Sequence, residues 1–464
     1  MSGLDILARR PAPAAPREYH FPRFERARLA NDLTVITAHL PGRPLLAAQL
    51  VLEGGAGHEP ADLAGVTALL ARALPEGTAQ RDAIAFVEAT ERLGAELHAE
   101  AGWETVAVTL EVPRRHFGPA LALLAELALQ PSFPAHEVER LRDERLNDLL
   151  QSTAEPRRRV ERAFAETIYA PGVPYGRLLG GDEASVPRLD RVAVAARHAT
   201  LLDPSAATLI VAGDLEGLPV VTLVAEHLGS WPAGDSPAVA PGTPLPDDAG
   251  SPRLVLVDRP GSPQSELRIG HVGLPRRIPD FHAVAVMSAI LGGLFNSRLQ
   301  RLLREERGYT YGIGAGFDFR RSAGPFAVRT AVQTEVTAPA IADILGELRR
   351  MREAPIEAQE LRDARDFLIG VFPLRFEAAA QVVGAITGLV VHGLPDDELD
   401  RYRQVVAALT EEEVHAAALA HVHPDAFSIV MVGDAERVVP GLEATRLGPL
   451  EIVREAVPTV AEEA

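Results

Sequence analysis

The chain carries one pattern twice. Leu141-Arg142-Asp143 recurs as Leu361-Arg362-Asp363, an offset of 361 − 141 = 220. Pro204, nine residues before Gly213-Asp214, recurs as Pro424, nine residues before Gly433-Asp434, and 424 − 204 = 220 again. Two distant segments that share one offset indicate a duplicated unit. Duplication constrains the fold strongly, because what one copy forms the other must form as well. It predicts two similar domains facing each other with a site between them, and it directs attention to the places where the copies differ.

The boundaries follow from punctuation. Residues 1–17, with Pro11, Pro13 and Pro16 among small residues, read as a loose leader. The stretch WPAGDSPAVAPGTPLPDDAGSP, from Trp231 to Pro252, is rich in Pro and has little to bury, so 233–252 is expected to be an extended, semi-stiff linker. It separates copies at 18–232 and 253–455, leaving 456–464 as a tail. In the first copy, strands are expected at Leu45–Leu52, across the alternating Val106, Val108, Leu110 and Val112, and at Ala207–Ala212. Helices are expected at Asp62–Leu74, Ala83–Leu93, Phe117–Leu129 and His136–Gln151. In the second copy, strands are expected at Leu254–Val257, Leu267–Val272, Phe326–Val332 and Ser428–Val432. Its helices are expected at His282–Leu291, Arg298–Arg307, Ala338–Met351 and Ala358–Val371. Strands and helices mix without a regular βαβ repeat. The fold class is therefore α+β: two homologous domains, each a mainly antiparallel sheet packed by helices, arranged like a clamshell.

Charge and composition exclude several functions. The formal net charge is −18, a surface that repels nucleic acid and anionic lipid, so neither is an expected partner. There is no Cys, hence no disulfide framework, no thiolate nucleophile and no Cys-based zinc site. No run approaches the roughly 18 apolar residues that span a bilayer, and the N-terminus lacks the apolar core of a signal peptide. A cytoplasmic location is the simplest expectation. The run Arg157-Arg158-Arg159 has no interleaved aromatics and reads as a solvated helix start. Gly292-Gly293 ahead of Phe295-Asn296 lacks the Lys of a phosphate loop. His421 and His423 have no evident third ligand and read as polar residues ahead of a strand.

Five segments carry a family resemblance. LEGGAGHEPADLAGVTALLARALPEGT (52–78), RLGAELHAEAGWETVAVTLEV (92–112), PSFPAHEVERLRDERLNDLL (131–150), VPYGRLLGG (173–181) and LGGLFNSRLQRLLREERGYTYGI (291–313) resemble, in order, the pitrilysin/insulinase family of zinc peptidases. The match runs from about residue 20 to 455. That family binds zinc through H-x-x-E-H on a helix. Two His four residues apart face one ion, the Glu activates water, and a second Glu completes the site. Here the two His positions hold Ala68 and Arg72, the Glu position holds Ala71, and Asp148 stands where the third ligand belongs (148 − 72 = 76). Leu141 replaces a further acidic position. The chain is thus expected to bind no metal.

The resemblance also implies what remains. The family carries an Arg and a Tyr seven residues apart that hold the substrate backbone near the scissile bond. Arg304 and Tyr311 have that spacing, and Arg307 and Tyr309 are the rivals for the same roles. Gly308 is placed to end the helix in a left-handed conformation, with Tyr309 and Tyr311 on one face of a starting strand. A guanidinium and a phenol together offer donors to a developing oxyanion. Taken alone, Arg298, Arg301, Arg304 and Arg307 at intervals of three also fit a solvated face with local ion pairs. His98-Ala99 falls where the family's edge strand pairs with extended peptide. The resemblance is therefore to the non-catalytic, Arg/Tyr-bearing subunit of a heterodimeric peptidase. Its paralogous partner would bring zinc, and its substrate would be peptide. The alternatives are an inert scaffold subunit of a larger complex and a protein that binds peptide without cutting it.

Overall fold

The computed structural model describes residues 17–232 and 239–454. Most of the expected leader, the tail from 456 and linker residues 233–238 lie outside the described residues. The first half supplies strands β1 (Phe24–Arg28), β2 (Thr34–His39), β3 (Leu45–Glu53), β4 (Glu96–Ala101), β5 (Thr105–Pro113) and β6 (Ala207–Gly213). Its helices are α1 (Val66–Ala73), α2 (Ala83–Arg92), α3 (Phe117–Leu129), α4 (Ala135–Ala154), α5 (Pro156–Ile168), α6 (Arg191–Leu201) and α7 (Val220–Leu228). The second half supplies β7 (Leu254–Asp258), β8 (Gln264–Val272), β9 (Ile313–Phe317), β10 (Pro325–Gln333), β11 (Ser428–Gly433) and β12 (Leu450–Val453). Its helices are α8 (Phe281–Ser288), α9 (Thr337–Glu353), α10 (Ala358–Val371), α11 (Ala379–His392), α12 (Glu398–Ala408), α13 (Glu411–His421) and α14 (Ala435–Thr445).

The repeat in the sequence is a repeat in space. The two six-stranded sheets run β1-β2-β6-β3-β5-β4 and β12-β7-β11-β8-β10-β9. β5 and β10 begin at Thr105 and Pro325, and α3 and α9 begin at Phe117 and Thr337, both 220 apart (325 − 105; 337 − 117). Leu141 and Leu361, the anchors of the repeated triplet, are both buried. The sheets are mixed, since β2 pairs with β6 and β7 with β11 in parallel while the rest of each shared order is antiparallel. They differ at one rim: β1 is a hairpin partner of β2, whereas β12 joins β7 in parallel.

The halves are interlocked by an exchange of helices. β3 is buried almost throughout, so both faces of its sheet need cover. One face packs on the helices of its own half, with Leu46, Leu50 and Leu52 in a core shared with α3. The other face, with Ala47, Val51 and Ile210, lies in the same core as Val382, Val383 and Ile386 of α11, a helix of the second half. The reverse also holds. Val160 and Phe164 of α5 pack against Val255, Ala327 and Val430 of the second sheet. Polar contacts close the joint. Arg321 makes a two-pronged pair with Glu53 at 2.9 and 3.0 Å, both side chains being 5% exposed. Thr387 donates to Gln49 at 2.5 Å.

Several expectations need correction. Helix Asp62–Leu74 is broken, with a 3₁₀ turn at Ala61–Leu63 preceding α1. Gly65 sits between them at φ 94, and a Cβ there would fall 2.5 Å from the Gly180 carbonyl oxygen, so the chain turns at glycine. The described part of the linker is not free. Leu245 is buried in the joint, Ala170 N–H donates to the Asp248 carbonyl, and Ala323 N–H donates to the Asp247 carboxylate. One buried apolar residue and hydrogen bonds to both halves pin it. The Arg157–Arg159 run opens α5, whose other face is core, and Arg158 forms an ion pair instead of facing only solvent. Arg298–Arg307 is largely a π-helix (Gln300–Glu306), and Tyr309 and Tyr311 precede β9 instead of starting it. Among the described residues, no single helix is long and apolar enough to cross a membrane.

Candidate functional site

The corner where the family motif would sit is filled with ion pairs. α1 carries Ala68, Ala71 and Arg72, of which Ala71 is buried in the core and Arg72 is exposed. Arg72 reaches α4 and donates to Glu144 at 2.6 Å, and Glu144 also accepts from Arg140 at 2.5 Å. Arg140 in turn contacts Glu76 and Glu137. Asp148 lies between two guanidiniums, Arg158 at 2.8 Å and Arg145 at 2.5 Å. The hydrogen-bonded Arg158 guanidinium, with Arg145 beside it, holds the Asp148 carboxyl below the usual range. An alanine methyl cannot ligate, and each carboxylate here already has cationic partners. These residues do not fit a zinc ion. Among the described residues, no group of three His, Asp or Glu side chains could hold a metal. Leu141 belongs to the core.

The second-half motif is built differently. The π-helix ends at Gly308, φ 66, with the Tyr309 N–H donating to the Leu303 carbonyl across the turn. Three of the four arginines are committed. Arg298 is 2% exposed and two-pronged on Glu360, Arg301 lies 3.4 Å from the same carboxylate, and Arg307 pairs with Asp343 at 2.9 Å. Arg304 has no carboxylate partner among the described residues. Its guanidinium lies 4.3 Å above the centroid of the Phe295 ring. The tyrosines divide the same way: Tyr309 packs against the core, while Tyr311 is 94% exposed. Of the two candidate pairs, Arg304 and Tyr311 are the ones left free to engage something outside the chain.

Between the halves lies a cleft of about 390 Å³ whose walls include Trp103, Tyr175, Arg177, Arg320 and Arg329. Neither Arg304 nor Tyr311 lines it. His98 and Ala99 lie on β4, the rim strand of the first sheet, with Ala99 turned toward the core and His98 exposed. Gly292 is explained by packing, since a Cβ there would meet the backbone nitrogen of Ala315 on β9 at 2.5 Å. His421 binds Asp280 at 2.6 Å, and the His423 ring lies against His271.

Comparison with known proteins identifies the family and the fold. Residues 34–178 match the model described as "Insulinase (Peptidase family M16)", and residues 188–368 match "Peptidase M16 inactive domain". The chain belongs to the M16 family. An uncharacterized zinc protease of Mycobacterium tuberculosis (strain ATCC 25618 / H37Rv) is 26% identical over 88% of this chain and 92% of its own length. The non-peptidase homolog YmxG of Helicobacter pylori (strain ATCC 700392 / 26695) is 22% identical over 84% of this chain and 89% of its own. A crystal structure of a peptidase M16 inactive domain from Pseudomonas fluorescens superposes with a TM-score of 0.82 at 25% identity, covering 89% of this chain and 98% of that one. In this M16 chain the positions of the metal motif hold Ala68, Ala71 and Arg72, which supply no ligand set, and its second half matches the family's inactive domain.

Two features of this M16 chain escaped the sequence reading. Glu59 caps α1 by accepting from the Gly65 and Thr67 N–H groups at 2.6 and 2.9 Å, six and eight residues away and outside the usual capping spacing. Phe295, nine residues before Arg304, follows no helical period, and its place under Arg304 had no signal in the sequence.

Proposed function

We propose that this chain is the non-catalytic subunit of a heterodimeric M16 peptidase. A paralogous partner brings zinc and its water-activating Glu, and this chain presents Arg304 and Tyr311 to the substrate's reacting carbonyl. The observation that carries the reading is a contrast. Charges at the lost metal site are neutralised internally, whereas Arg304 keeps its donors uncommitted and Tyr311 stands almost fully exposed. An exposed donor pair outside the chain's own cleft stabilises no transition state by itself, because water screens it. A second surface must enclose it. The dry, peptide-sized chamber then forms between two chains, with His98-Ala99 on the β4 rim as a further backbone contact for extended peptide.

The test is cleavage of an internally quenched fluorogenic peptide. Pure chain should show no zinc-dependent hydrolysis, and a complex recovered through a tag on this chain should show it. Zinc-dependent cleavage by the chain alone, free of contaminating peptidase, would overturn the reading. A recovered complex that holds no zinc and cleaves nothing would favour the inert scaffold or peptide-binding alternative.

A further inference from the structure

Arg304 presents a design problem: a cation that must donate to a substrate has to be held in place without spending its N–H groups. An ion pair fixes a guanidinium but consumes its donors, as Glu360 does for Arg298 and Asp343 for Arg307. A ring under the guanidinium plane fixes it through its face and leaves the in-plane donors free. Phe295 is in that place, 4.3 Å below the Arg304 guanidinium. It is 68% exposed, so burial in the core does not account for a phenylalanine there. The turn that carries it is anchored: Leu294 is buried, and its carbonyl accepts the Ser297 N–H at 3.1 Å. At the preceding π segment, Gly292 allows close contact with β9.

We propose that Phe295 is a positioning residue whose ring, lying under the Arg304 guanidinium, holds it in place while its N–H donors remain available to the substrate carbonyl. This rests on the role proposed above for Arg304. It adds a residue that touches neither substrate nor metal and acts only through Arg304.

Two measurements test it. In the isolated full-length chain, the Arg304 Nε–H resonance, assigned by its loss in Arg304→Lys, should be shifted upfield by the ring. The shift should vanish in Phe295→Leu and persist in Phe295→Trp. In the complex with the zinc-bearing partner, cleaving the same quenched peptide, Phe295→Leu should lower kcat about two- to fivefold with KM little changed. Phe295→Trp should keep the rate, and Phe295→Leu should cost nothing further in an Arg304→Ala background. An unshifted Arg304 resonance, or the same Phe295→Leu loss with Arg304 already removed, would overturn the proposal while leaving the role of Arg304 intact. An Arg304→Ala complex with full turnover would overturn both.

Discussion

A lost metal site is more than missing ligands. Ala68, Ala71 and Arg72 remove three groups, but the neighbouring carboxylates have also been reassigned. Asp148 is shared by Arg145 and Arg158, and Glu144 by Arg72 and Arg140. These guanidiniums would have to be displaced before the carboxylates could turn to an ion. The triple change Ala68→His, Ala71→Glu, Arg72→His should therefore fail to bind zinc stoichiometrically in equilibrium dialysis. Removing Arg145 and Arg158 as well should raise zinc uptake, and stoichiometric zinc in the triple variant alone would contradict this account. A second single-residue effect concerns His271, whose ring packs against both Phe326 and Phe427 and whose Nδ1 is bonded to the Val272 carbonyl. Burial lowers its pKa from 6.5 to about 4. A depressed histidine binds its proton more readily when unfolded, so its presence lowers stability as pH falls through 6.5 toward 4. His271→Phe should gain on the wild type across that window, by on the order of 2–3 kcal/mol at its acid end, measured by urea unfolding at stepped pH. A difference independent of pH would refute it.

At the scale of elements, α5 and α11 decide the architecture, since each covers a sheet that its own half does not contain. Phe164 on α5 is 2% exposed against the second sheet. Phe164→Ala should cost about 3–5 kcal/mol, and amide exchange should quicken in β8 and β11 as well as in α5. Loss of protection confined to the first half would show that the exchange is not energetically coupled. Sequence reading located the strands that alternate, such as β5 and β10, and the helices with one apolar stripe, because period and burial coincide there. It missed α5 and α11 as elements of the joint. An amphipathic face is written in the sequence, but the surface it meets is not, and α5 announces itself with three arginines. The same limit hid Leu245: a single apolar residue carries no period. It also hid the π geometry of Gln300–Glu306, since the arginine spacing of three fits an α-helix as well. The candidates Arg304 and Tyr311 came from resemblance, with Arg307 and Tyr309 as rivals. What distinguishes them from Arg307 and Tyr309 is which neighbours claim the side chains, and only the folded chain supplies that.

At the scale of the molecule, duplication and interlocking pull against each other. Two homologous halves suggest two folding units, but a core shared across the joint and the buried Glu53–Arg321 pair join them into one. Calorimetry should show a single cooperative transition. Arg321→Ala should lower stability by about 3–5 kcal/mol, because it strands a buried carboxylate, without splitting the transition. Two resolved transitions in the wild type would contradict the shared core. On the proposed function, Arg304 and Tyr311, which do not line the cleft between the halves, would be enclosed by a second chain. The most direct test is the turnover of the complex purified through this chain, with zinc content and subunit association held equal. Arg304→Ala and Tyr311→Phe should each reduce kcat by more than about tenfold. Turnover unchanged by both would show that the pair takes no part in the chemistry, and the central claim would fail.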